Sequence, residues 1–140
     1  MSGLLILTHG DLATHLLRAL EAIVGPMEQA RAVAIGWDAA QAEALESLRR
    51  AIGEVDRGEG VLIATDMFGG TATSLALTFL GDRIEIVTGV NLPMLVKFAT
   101  LRHTCTLREA AEKVRDQGQK AITVATECLR APAPGGRTNR

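Results

Sequence analysis

Two residues far apart in the chain have the types needed for phosphoryl chemistry. His9 follows the apolar run LLILT, and Asp66 follows the apolar run VLIAT. A neutral imidazole, the predominant form at cytoplasmic pH, has one nitrogen that can attack phosphorus and another that donates a hydrogen bond. A carboxylate decides which nitrogen does which. If Asp66 accepts from one ring nitrogen of His9, the other becomes the nucleophile, and the cation formed on phosphorylation is stabilised. The competing reading makes His9 a packed or helix-capping histidine and Asp66 a turn residue. Gly69-Gly70-Thr71 stand just before a helical pattern, where backbone N–H groups and a hydroxyl can hold an anion. Gly10 opens the helix that follows His9, adding that helix's positive dipole end. Gly-Gly alone is also an ordinary turn.

Short apolar runs bounded by glycine and followed by helical patterns read as buried parallel strands. Strands are expected over 4–9, 31–37, 61–66 and 84–90, with KAITVA at 120–125 as a fifth. Asp11 is placed to cap a first helix with an apolar stripe at Leu12, Leu16, Leu20 and Ile23, ended by Gly25-Pro26. Asp38 caps a second, with Ala42, Leu45, Leu48, Ile52 and Val55 inward, and a short third helix spans 73–80. Pro93 sits in the first turn of a fourth, and Thr106 with Glu109 forms a capping box for a fifth that Gly118 ends. Strand–helix alternation implies an open three-layer α/β/α sheet with right-handed crossovers, in the order 2-1-3-4. That order makes His9 and Asp66 neighbours at the crevice where such sheets bind ligands. The fifth strand is expected to be antiparallel and exchanged in a homodimer, since it otherwise leaves an exposed β-branched edge.

The 140 residues fit one domain over 1–130, with APAPGGRTNR at 131–140 as a disordered Pro/Gly-rich tail. Fifteen Lys and Arg against sixteen Asp and Glu, with no basic block and no Tyr, exclude the electrostatic footprint of a nucleic-acid binder. No apolar run reaches the roughly 20 residues of a spanning helix, and the N-terminus lacks a basic leader, so a cytoplasmic protein is expected. Cys105 and Cys128 form no C-x-x-C pair, and His103 beside Cys105 has no further ligands nearby. Neither a metal nor another cofactor is expected. His15 reads as a solvated surface residue. Met67, Phe68 and Trp37 lie near the same strand ends and are either a docking rim for another protein or buried under the loop.

The segments LLILTHGD at 4–11, IATDMFGGTATS at 63–74 and TGVNLPML at 88–95 resemble, in this order and spacing, the enzyme IIA component of the mannose-type bacterial phosphotransferase system. The resemblance implies that His9 takes a phosphoryl group from the phosphocarrier HPr and passes it to a IIB partner for sugar uptake. It makes Asp66 the orienting carboxylate, Gly70 and Thr71 part of the receiving loop, and the protein a homodimer. It also makes the tail resemble the Ala/Pro linker that joins IIA to IIB in many members. IIB is then expected on a separate chain, and membrane contact only through transporter components. The family often has Pro after Gly-Gly-Ser/Thr, where this chain has Ala72. Three other roles fit the same residues: a regulatory phosphorelay, the phosphocarrier domain of dihydroxyacetone kinase, or a noncatalytic regulatory module. A histidine phosphatase would resemble Arg-His-Gly, and Thr8 stands where that Arg would be.

Overall fold

Strand β1, Gly3–His9, is buried on both faces, as its uninterrupted apolar run requires. Alternation along it divides the core. Leu4 and Ile6 point to one layer, and Leu5 and Leu7 to the other. The structure is a computed structural model that describes residues 1–36 and 40–130. Three further parallel strands, β2 (Ala30–Ile35), β3 (Val61–Thr65) and β4 (Ile84–Thr88), give a sheet in the expected order β2-β1-β3-β4. Register places Leu7 opposite Thr65, so β1 and β3 end side by side.

Helices α1 (Leu12–Val24), α4 (Leu92–Leu101) and α5 (Leu107–Lys120) cover one face of the sheet. Helices α2 (Gln41–Val55) and α3 (Thr71–Leu77) cover the other. The core of the first layer centres on Leu20, Phe98 and Val114, and that of the second on Leu48, Val55 and Leu75. No helix among the described residues is long and apolar enough to cross a membrane.

Several expectations are corrected. Asp11 makes no side-chain cap on α1; the Thr8 hydroxyl instead accepts from the Ala13 amide at 2.7 Å. Gly10, at φ 56°, folds the chain back sharply enough to bring Thr8 over the helix end. Leu12, Ile23 and Ala42 are exposed, while Ala13 and Ala51 are buried against the sheet. Helix α3 begins at Thr71, two residues before its expected start, with buried Ala72 in its first turn. Pro93 and the Thr106–Glu109 capping box stand as read. The Asp38 cap, Trp37 and the 131–140 tail lie outside the described residues.

The fifth strand is absent from the described chain. Lys120 ends α5, 121–124 have no regular structure, and a short helix α6 covers Ala125–Leu129. A strand needs an edge to pair with, and within one chain this segment reaches none.

Gly118 does not end α5 but lies buried within it. A Cβ there would stand 2.4 Å from Met94 Cγ and 2.8 Å from its Sδ, so the glycine lets α4 and α5 approach closely. Gly118→Val should therefore lower stability by about 1–3 kcal/mol, the usual cost of overpacking. Chemical denaturation checks this; an unchanged midpoint would mean that Met94 yields without strain.

Candidate active site

Both candidate groups leave the sheet at the same edge. His9 is the last residue of β1, and Asp66 comes directly after β3. The Asp66 Oδ2 atom accepts from the His9 backbone amide at 3.0 Å and lies 2.8 Å from His9 Nδ1. Oδ1 accepts from the Met67 amide at 2.9 Å. Both side chains are largely withdrawn from solvent, at 19% and 14% exposure. Burial pushes the Asp66 carboxyl up, but the hydrogen bonds from the His9 amide and ring, attraction to the imidazolium and the Met67 amide outweigh it, holding the group below its ordinary value. Asp66 is therefore an anion at neutral pH. An anionic carboxylate only accepts, so a neutral His9 carries its proton on Nδ1 and the lone pair on Nε2.

The glycine loop closes on the ring. Gly69 adopts φ 83°, and Gly70 passes so close to His9 that a Cβ on it would lie 2.9 Å from the imidazole Cε1. His9, Gly69 and Thr71 line an open cleft of about 610 Å³ between α2 and α3. Gly10 contributes differently from expectation. Its amide donates to the Ile35 carbonyl at 3.0 Å, so it shapes the turn after His9 and that N–H is already committed to the sheet.

Gln41 and Ser74 also line the cleft, and sequence reasoning passed over both. Gln41 begins the helix after β2 and Ser74 lies one turn into α3, so the rule that ligands collect beyond strand carboxyl ends could have found them. No Lys or Arg lines the cleft among the described residues. Thr8, in the place of a phosphatase arginine, is buried beneath α1.

Met67 and Phe68 are 58% and 73% exposed, so they form a rim and are not tucked under the loop. His15 is exposed on α1. His103 lies at the opposite end of the sheet, beside Met1, Met27 and Arg102. Cys105 and Cys128 are unbridged, and the described residues contain no group of three His, Cys, Asp or Glu able to hold a metal.

Residues 3–115 match the family model EIIA-man, described as PTS system fructose IIA component. The YadI protein of Escherichia coli K12, which bears the name of a phosphotransferase enzyme IIA component, is 32% identical over 126 residues, covering 88% of this chain and 86% of its own. The fructose-specific EIIA component of Bacillus subtilis is 27% identical over 131 residues, covering 92% of this chain and 90% of its own. In fold, the crystal structure of a phosphotransferase system EIIA component from Streptococcus agalactiae superposes with a TM-score of 0.83, covering 91% of this chain and 100% of its own at 22% identity.

Proposed function

This chain belongs to the EIIA-man family of phosphotransferase-system IIA components, and from that membership we propose that His9 is the residue that carries its phosphoryl group. The family carries phosphate from HPr to IIB components for sugar uptake through a phosphohistidine, so the protein is a phosphotransferase that interacts with both. The observation that supports His9 is the 2.8 Å contact of Nδ1 with Asp66. It supports Nε2 as the attacking atom. The Nε2 lone pair bonds to phosphorus as the bond to the donor breaks, and the donor leaves with that electron pair. The resulting imidazolium keeps its Nδ1 proton on Asp66, which offsets the new charge.

With no cationic side chain lining the cleft among the described residues, the phosphoryl oxygens rely on small-residue contacts at Gly69, Gly70 and Thr71. Such a site suits passage of the group to a second protein. A phosphatase clamp is not favoured, since the position before His9 is spent on capping α1. Met67 and Phe68 form the rim that the donor and acceptor proteins meet. The protein acts in the cytoplasm. Residues 1–130 form the IIA domain. Incubation with enzyme I, HPr and labelled phosphoenolpyruvate should give one acid-labile, base-stable phosphoryl group per chain, mapped by mass spectrometry to the peptide containing His9. Label on any other peptide would overturn the assignment.

The functional unit we propose is a homodimer. Strand β4 is an edge of the sheet, and the Thr88 hydroxyl on it is buried with no partner among the described residues. Ile122 and Val124 are 77% and 60% exposed in a segment with β-branched alternation. Pairing that segment with an edge of a second copy would cover an open sheet edge and the exposed Ile122 and Val124. Sedimentation at micromolar concentration should give a dimer for the full chain and a monomer after removal of 121–140. A full-length monomer, or a truncated dimer, would defeat this.

A further inference from the structure

The loop from Asp66 to Gly70 has no apolar anchor. Met67 and Phe68 face solvent, and Gly69 and Gly70 have no side chains. Yet this loop carries the carboxylate on one side of His9 and the glycine wall on the other. Its position must come from polar ties: the His9 amide and ring hold Asp66, the Ser74 amide holds the Gly70 carbonyl, and the Met67 peptide between them is held by Thr73. The Thr73 hydroxyl donates to the Met67 carbonyl at 2.6 Å. That bond uses its only proton, so at the 2.7 Å contact between the Thr65 and Thr73 hydroxyls Thr65 is the donor. Both threonines are 2% exposed or less. Hydroxyls buried this deeply are costly unless satisfied, and here each spends its proton within the network.

We infer that Thr73, supported by Thr65, is a positioning residue for the reaction at His9: it fixes the Met67 peptide, and through it the Asp66 carboxylate and the Gly70 wall. The Met67 peptide links the two. Its N–H lies on Asp66 Oδ1, and its carbonyl takes the Thr73 proton and a longer contact from the Gly70 amide at 3.4 Å. Releasing the carbonyl lets the peptide rotate, which moves the N–H away from Asp66 and the glycine away from the imidazole. Thr65 acts one step further back, orienting Thr73 from the end of β3.

The inference rests on His9 being the phosphoryl carrier, and its test separates the two. Thr73→Val keeps the shape and removes the hydroxyl, and should slow phosphoryl transfer from phosphorylated HPr by about tenfold, within the range for groups that orient a reacting residue. Thr73→Ser restores the donor and should return the rate to within about twofold of wild type. Nitrogen-15 NMR of the neutral His9 ring should show the Nδ1–H tautomer dominant in wild type and Thr73→Ser, and mixed with the Nε2–H tautomer in Thr73→Val. A general loss of stability would not produce that mixture in the folded protein. Should the valine variant not fold, Thr65→Val leaves the Thr73 bond to Met67 in place and should give a smaller shift of the same sign in rate and tautomer. The positioning role is overturned if a folded Thr73→Val, or in its place Thr65→Val, keeps both the wild-type rate and a pure Nδ1–H tautomer. Label found away from His9 would instead refute the carrier assignment, and the tautomer measurement would still decide the role of Thr73.

Discussion

His9→Ala should take up no phosphoryl group from phosphorylated HPr, while His15→Ala and His103→Ala are labelled to the wild-type level. The expected effect is loss of stoichiometry and not a slower rate, because no other imidazole in the described chain has comparable surroundings. His9 receives an orienting carboxylate, faces a cleft and abuts a glycine that makes room for it. His15 is exposed on α1, and His103 is at the far end of the sheet among Met1, Met27 and Arg102. A partner docked over Met67 and Phe68 reaches His9 without reaching His103. Circular dichroism on each variant separates a lost nucleophile from a lost fold. Label persisting in His9→Ala would place the chemistry on another side chain. Absence of label in the wild type would favour a noncatalytic regulatory module.

The dyad was legible in sequence because it depends on two coarse features. Short runs buried on both faces mark β1 and β3, and strand–helix alternation makes them neighbours whose ends share one edge. The supporting contacts were not legible, because they depend on where helices begin. Starting at Thr71 and not at 73, the helix makes Thr73 its third residue, which brings that hydroxyl beneath the loop to the Met67 carbonyl. The same sensitivity hid Thr8, whose cap on α1 requires the sharp turn at Gly10. Hydropathy also undervalues small residues. Ala13 and Ala51 bring their helices against the sheet, while the bulkier Leu12 and Ile23 remain outside. Gly118 resembles a helix stop until Met94 is placed against it. KAITVA differs in kind: its alternation is real, but a strand also needs a partner edge, and this segment pairs with neither β2 nor β4.

Asp66→Ala should slow phosphoryl acceptance by about 10–100-fold and leave His9 able to react. Without the carboxylate the Nδ1 proton loses its Asp66 acceptor, so part of the population presents Nε2–H to the donor, and the phosphorylated imidazolium loses its counter-charge. The variant should also be less stable by about 1–3 kcal/mol at neutral pH, because the part-buried His9 amide and ring lose a charged acceptor. The pH dependence of that difference is a separate check on the same contacts. The folded carboxyl lies below its ordinary value: burial raises it, and the hydrogen bonds and charge of His9, with the Met67 amide, lower it further than burial raises it. A carboxyl depressed on folding stabilises the protein above its unfolded value, near 3.9, and that contribution is lost as pH falls through the folded value. The gap between wild type and Asp66→Ala in chemical denaturation should therefore be present at neutral pH and shrink below about pH 4. A gap that persists unchanged in acid would mean that the variant perturbs packing, and a full transfer rate in the folded variant would remove Asp66 from the mechanism.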